Sequence, residues 1–461
     1  MRSKRVVVGL AVVLSLAVAG CTDDGDEPGA SQSTQPSATA PVKPVKLQLG
    51  VWGGDAEIAA YQGVVDTYNA AHPEVKVKIQ PFADHDALKQ ALDAGEVPDV
   101  FLASRSDLQD LIDNGVNQPV SDLLDERNVD FGDGYSRPAL EAFASDRELQ
   151  CMPYGVSPMV IYYNRALVDF TKMAERDLPV PNLDEEDLSK KPAWNYAMFE
   201  AAANFSSRPR RGIAGFHVQP TLRGLAPFVY SAGGQIFDDD EAPTSLAFSS
   251  DDTRSALEQV LPLLRDPKVD LTPEQLAQKS AIDWFKEGKL GMIAGFRSMV
   301  PELRATPGLD FDVMPMPIVD DAATVGELTG VCLAEDTKET AAAADLLVDL
   351  ISTESVSTVA EAGYLAPANI PVALSEAFLQ PGTMPAHSIV FNSAVRSMRI
   401  PPLLGSYSEL EAAVDGPIEQ LLTVELPDLD ALTDEIDAAS QSVLAPDDAS
   451  EEPSPSEDDS E

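Results

Sequence analysis

"VKLQLGVWGGDAEIAAYQGVVDTYNAAHPEVKVKIQPF" fills positions 45–82, and its hydrophobic period changes twice. From Val45 to Trp52, apolar residues alternate with small or polar ones, as in a half-buried strand. Gly53-Gly54 permits a sharp turn, after which Ile58, Tyr61, Val64, Val65 and Tyr68 recur at three- and four-residue spacing. Such spacing lays an apolar stripe along one face of a helix, ended before Pro73. "VKVKIQPF" alternates again, a helix around Asp86 to Ala94 follows, and "DVFLA" after Pro98 is the continuous apolar run of a buried strand. Strand, helix, strand, helix, strand predicts a parallel α/β layer.

Upstream, Arg2, Lys4 and Arg5 precede an uncharged run from Val6 to Val18, then Ala19-Gly20 and Cys21. That order is the plan of a secretory signal peptide, 1–20. The run has 13 residues, fewer than the roughly 20 that span a bilayer. A cysteine directly after the small pair resembles the lipobox of bacterial lipoproteins, which implies acylation of Cys21 and an anchor on the extracytoplasmic face of the cell membrane; an ordinary secretory signal is the alternative. Residues 21–45, rich in Asp, Ser, Gln, Thr and Pro, bury too little apolar area to offset chain entropy and read as a stalk. The acidic tail 446–461 reads as a disordered solubiliser for the same reason.

Between stalk and tail lie 400 residues, more than one hydrophobic core organises, so two domains are expected. With 76 acidic and 32 basic residues the formal charge is −44, which disfavours nucleic acid and anionic lipid as partners. The sequence contains no HExxH, GxSxG, GxGxxG, P-loop or CxxC pattern, and His72, His85, His217 and His387 are scattered singly. No catalytic residue, metal or cofactor is therefore assigned. Further along, "LQCMPYGVSPMVIYYN" (149–164) reads as two strand segments joined at a Gly-Val-Ser-Pro bend, and "GKLGMIAG", "FDVMPMPIV" and "LTGVCLAED" as later strands.

Taken in order, "LGVWGG", "YNAAHPEVKVKI", "GEVPDVFLAS", "MPYGVSPMVIYYNRALV", "PAWNYAMFEAAA", "YSAGGQIFDDD", "WFKEGKLGMIAGFRSMVPEL", "FDVMPMPIV", "TGVCLAEDTKETAAAADLLVDLIST" and "RIPPLLGSYSEL" resemble the extracellular solute-binding protein family 1. Its members are the substrate receptors of bacterial ABC importers for sugars and oligosaccharides. The resemblance runs from about Leu47 to Leu444 and implies a two-lobed, periplasmic-binding-protein-like clamp of the type II kind. Lobe 1 would comprise 46–154 and 331–380, and lobe 2 would comprise 155–330 and 381–445. The implied interlobe crossings lie near Tyr154 to Ser157, near Gly326 to Gly330 and within Ala366 to Gly382. It also implies a monomer that closes on a small solute, a carbohydrate first, and presents the closed form to a permease.

Loops beyond the carboxyl ends of the strands should form the crevice. There Asp55 either accepts hydrogen bonds from hydroxyls or caps a helix, and Trp52 either stacks on a sugar ring or packs in the core. Ser104 and Arg105 follow the third strand. Ser157, a lone hydroxyl among apolar neighbours, sits at the first crossing and needs a partner. Arg223, Phe296 and Arg297 lie in segments resembling the family's cleft loops, with Tyr407 and Arg399 as weaker candidates. Arginine forks suit vicinal hydroxyls or anions, so an anionic or polyol solute is an alternative if the guanidinium groups of Arg105, Arg223 and Arg297 converge. Trp194 and Trp284 read as packing residues, which is few cleft tryptophans for an oligosaccharide binder. In this fold the two connecting strands run antiparallel, which would place Cys151 opposite Cys332 as a disulfide within lobe 1; two free thiols are the alternative. A lipid-anchored glycoside hydrolase and an adhesive lipoprotein are the rival classes.

Overall fold

The structure is a computed structural model that describes residues 44–129, 132–182, 193–423 and 428–445. The signal peptide, Cys21, the stalk up to residue 43 and the acidic tail lie outside the described residues.

The stretch quoted first folds as its periods predict. Strand β1 (Val45–Trp52) buries Leu47, Leu49 and Val51, and the helix Asp55–Ala71 buries Tyr61, Val64, Val65 and Tyr68. Each such side chain contributes about 1.5–3 kcal/mol by leaving water. Strand β2 (Val75–Phe82) lies parallel to β1 in unbroken register, Val45 opposite Val75 and Trp52 opposite Phe82. The helix His85–Asp93 starts on the Asp84 carboxylate, which accepts from Ala87 N–H. Strand β3 (Val100–Ser104) adds parallel on the other side of β1.

The parallel layer does not continue. Asn117–Gln118 forms the short β4, and Ala144–Ser145 with Glu148–Leu149 forms a small hairpin, β5 and β6. Strand β7 (Met152–Pro158) leads into β8 (Val160–Asn164). A second sheet takes the order β11-β8-β10-β9, with β9 at Ala214–His217, β10 at Leu290–Gly295 and β11 at Phe311–Met314. The chain then returns as β12 (Gly326–Ala334), which joins the first sheet antiparallel to β3, β4 and β7. The first sheet therefore runs β2-β1-β3-β12-β4, with β7 also on β12. Its strands are parallel only where helices connect them, since β12 arrives from the other lobe. Two hydrophobic cores follow, one centred on the first sheet and one on the helices behind the second.

The Gly-Val-Ser-Pro bend expected inside 155–158 is instead continuous strand, because each of its residues finds a partner on β12, from Gly155 opposite Thr329 to Pro158 opposite Gly326. The passage to the second sheet comes at Met159, whose N–H donates to Val325 O at 2.8 Å and whose carbonyl accepts from Thr324 Oγ1 at 2.8 Å. Two passages thus run side by side at the far end of the β7–β12 pair. A third is made by the stretch after Ala366. Ala366 O and Ala368 N–H still bond to β7, whereas Phe378 and Phe391 already pack around Arg297, beside Tyr162 of the second sheet.

Cys151 and Cys332 are disulfide-bonded, with Cα atoms 4.4 Å apart. They extend the Met152–Val331 register by one position, which places the bridge inside the first sheet's lobe. His217 and His387 are buried and held by Asp270 at 2.7 Å and Asp312 at 2.6 Å.

Candidate solute-binding cleft

Loops from both sheets converge on a cavity of about 550 Å³, continuous with a second of about 490 Å³ through the shared residues Arg223, Ser298, Glu327 and Glu411. The first-sheet side supplies Trp52 and Glu57 after β1, His85 after β2 and Ser104 after β3. The second-sheet side supplies Phe296 after β10. A small adjoining chamber of about 60 Å³ brings Ser104, Arg105, Arg223 and Tyr407 together.

Local sequence explains the placements. Gly53 has φ +139°, and a Cβ there would stand 2.1 Å from the Glu57 carboxylate, so the glycine leaves room for Glu57 to fold back over the turn. Ser104 starts a short 3₁₀ turn, accepting from Ser106 N–H, and this turn presents Arg105. Thr221 caps the helix Leu222–Ser231, accepting from Gly224 N–H at 3.2 Å, and so fixes Arg223 in the first turn. The helix Tyr407–Thr423 carries Tyr407 and Glu411.

Of the residues singled out from sequence, Trp52, Ser104, Ser157 and Arg223 line the larger cavity, Phe296 the second, and Arg105 and Tyr407 the chamber. Trp52 is half-buried, its ring edge-on to His85 with centroids 5.4 Å apart. Ser157 finds its partner on the turn after β10, accepting from Arg297 N–H at 2.8 Å. Asp55 is exposed at the start of its helix and lines none of these cavities; Gly54, not Asp55, holds the cap position. Arg297 also stays out of them. Its side chain is fully buried, donates to Gly363 O at 2.9 Å and to Phe378 O at 3.4 Å, and lies between the rings of Phe378 and Phe391. It is a structural cation, and Arg105, Arg223 and Arg297 do not converge. Arg399 edges the chamber. Trp194 and Trp284 donate to Pro315 O at 2.9 Å and Gln275 O at 3.1 Å as packing residues.

The charged or titratable groups of the cleft not singled out from sequence include Glu57, His85, Glu327 and Glu411. Burial pushes the Glu57 carboxyl up to about 7. Burial also raises Glu327, with Arg223 and His85 opposing, and raises Glu411, which Arg223 opposes from 3.7 Å. Burial alone would lower His85, but its hydrogen bonds with Asp107 and Asp86 raise it. Arg105 falls to about 10 through burial, and its Nε is buried without a hydrogen-bond partner. Glu327 had a visible cue, being the lone carboxylate within "VGELTGVCLA". Among the described residues no group of three or more His, Cys, Asp or Glu side chains is arranged to hold a metal ion, and no helix is long and apolar enough to cross a membrane.

The profile of the bacterial extracellular solute-binding protein family matches residues 63–386. The chain belongs to that family. A curated relative, an uncharacterized lipoprotein in the oleD 5′ region of Streptomyces antibioticus, is 29% identical over 236 residues, 50% of this chain; the match spans 46% of the relative, about half its length. Several solved solute-binding proteins share the two-lobed fold. An ABC substrate-binding protein from Listeria monocytogenes in complex with cycloalternan superposes with a TM-score of 0.72 at 20% identity, covering 87% of this chain and 99% of that one. The GacH receptor of Streptomyces glaucescens, solved unliganded and with acarbose, gives 0.69 at 17% identity, covering 87% and 98%. The maltotriose-binding protein of Thermus thermophilus, bound with maltotriose, gives 0.65 at 16% identity, covering 86% and 100%. As a family member this chain thus has the α/β architecture of sugar-binding ABC receptors.

Proposed function

We propose that the protein is an extracytoplasmic receptor, anchored by lipid at Cys21, that captures a sugar or oligosaccharide between its lobes and delivers it to the permease of an ABC importer. One observation carries the reading: residues from the strand ends of both sheets line one cleft, with an aromatic face at Trp52 and hydroxyl or carboxylate acceptors at Ser104, Ser157, Glu57 and Glu327. Acceptors around a ring-sized aromatic surface suit a polyhydroxylated solute. Solved relatives in complex with cycloalternan, acarbose and maltotriose support the same class. The lobes, one built on each sheet, turn about the paired passages at Met159 and Thr324–Val325, and a solute touching both stabilises the closed state by its differential affinity. The receptor works as a monomer.

The test is a thermal-shift screen over mono-, di- and trisaccharides and polyols, followed by small-angle scattering with each binder. At least one carbohydrate raises the melting temperature and compacts the protein. If no carbohydrate does so while an inorganic or organic anion does, the sugar reading is wrong; turnover of a glycan would make the protein a hydrolase.

A further inference from the structure

Acidic side chains outnumber basic ones on the wall of the larger cavity. Glu327 is half-buried in the cavity wall, and Arg223 and His85 oppose its charge without closing a hydrogen bond or ion pair to it. Glu57 lies back over Gly53 at the other side of the same cavity and is equally unpartnered. The positive groups nearby are engaged: Arg223 faces Glu411 at 3.7 Å, and His85 is held by Asp107 and Asp86. Asp84 and Asp86 add further negative charge to the lining, whereas the unpaired Arg105 belongs to the small adjoining chamber. A neutral sugar would satisfy these carboxylates as acceptors and leave their charge uncompensated in a site closing away from water. A cation removes that penalty and forms charge-assisted hydrogen bonds.

We propose that the solute carries a protonated amine, as an amino sugar or an oligosaccharide containing one, and that its ammonium group is received in the cavity shared by Glu57 and Glu327. This rests on the sugar-receptor reading above and narrows it. The same charge excess selects against sugar acids and sugar phosphates.

The full chain is titrated calorimetrically with matched pairs: glucosamine, galactosamine and mannosamine against their neutral parents, and deacetylated chitobiose and chitotriose against cellobiose and cellotriose. Maltotriose and glucuronate complete the panel. Amine-bearing members bind at least about tenfold tighter than their hydroxyl counterparts, and added salt erodes the ratio. Glu327→Gln and Glu57→Gln each shrink that ratio toward unity; either variant suffices if the other misfolds. Neutral members binding as tightly as amines, or glucuronate binding more tightly, overturns this proposal and leaves the sugar receptor intact. Binding of no member of the panel removes both.

Discussion

Glu57→Gln should stabilise the empty protein at alkaline pH and leave it unchanged in acid. The Glu57 carboxyl is raised from 4.5 to about 7 by burial, so folding favours its protonated form. That contribution is fully present below the unfolded value of 4.5 and is lost as pH rises through about 7. At about 1.36 kcal/mol per pKa unit the ionised carboxylate costs the folded state about 3 kcal/mol at most, and partial hydration at the cavity edge brings the working figure to about 2 kcal/mol. Glutamine keeps the shape and removes the charge. The gain should be near zero at about pH 4, grow through neutrality, and level off above about pH 8. Urea unfolding of wild type and variant across this range, read as the difference in midpoint at constant slope, measures it. A gain independent of pH, or a loss at every pH, refutes an uncompensated carboxylate at this position.

Replacing Cys151 and Cys332 together by serine opens a loop of 181 residues, and the chain-entropy relation puts the loss at up to about 5 kcal/mol; calorimetry under oxidising conditions reads it, and an unchanged melting temperature contradicts it. Arg297→Gln removes a buried cation from two rings and two carbonyl oxygens, and should cost about 1.5–3 kcal/mol of stability, read by denaturant titration. Trp52→Ala, at a half-buried cleft position, should weaken sugar binding about tenfold or more with a much smaller change in melting temperature. Gly330→Val should fail to fold normally, since even a Cβ there stands 2.7 Å from the Phe143 ring; soluble expression with native-like thermal unfolding would argue against this packing.

Periodicity located most of the elements, because burial repeats along one chain segment and is therefore written locally. Val45–Trp52 and Val75–Phe82 are strands as read. Direction is different: β12 and β3 are antiparallel because the chain returns from the other sheet, and nothing within "LTGVCLAED" encodes that approach. The Gly-Val-Ser-Pro segment resembled a turn, since glycine and proline usually mark one, but pairing with β12 holds it extended. Site residues divide the same way. Trp52 and Ser104 sit at strand ends, where the α/β rule places a crevice, and both line it. Arg297 also follows a strand, yet the aromatic pair that draws it inward comes from residues some 80–95 positions later. Glu57 was hidden by its helix, where an acidic first turn is an ordinary feature.

Glu327 stands two residues beyond Val325, where two interlobe passages lie side by side. In the closing motion proposed above, a contact this near the axis has almost no lever arm, and pulling on it produces little torque. On that proposal Glu327 would test what the guest is, whereas the work of swinging the halves together would fall to groups far from the axle.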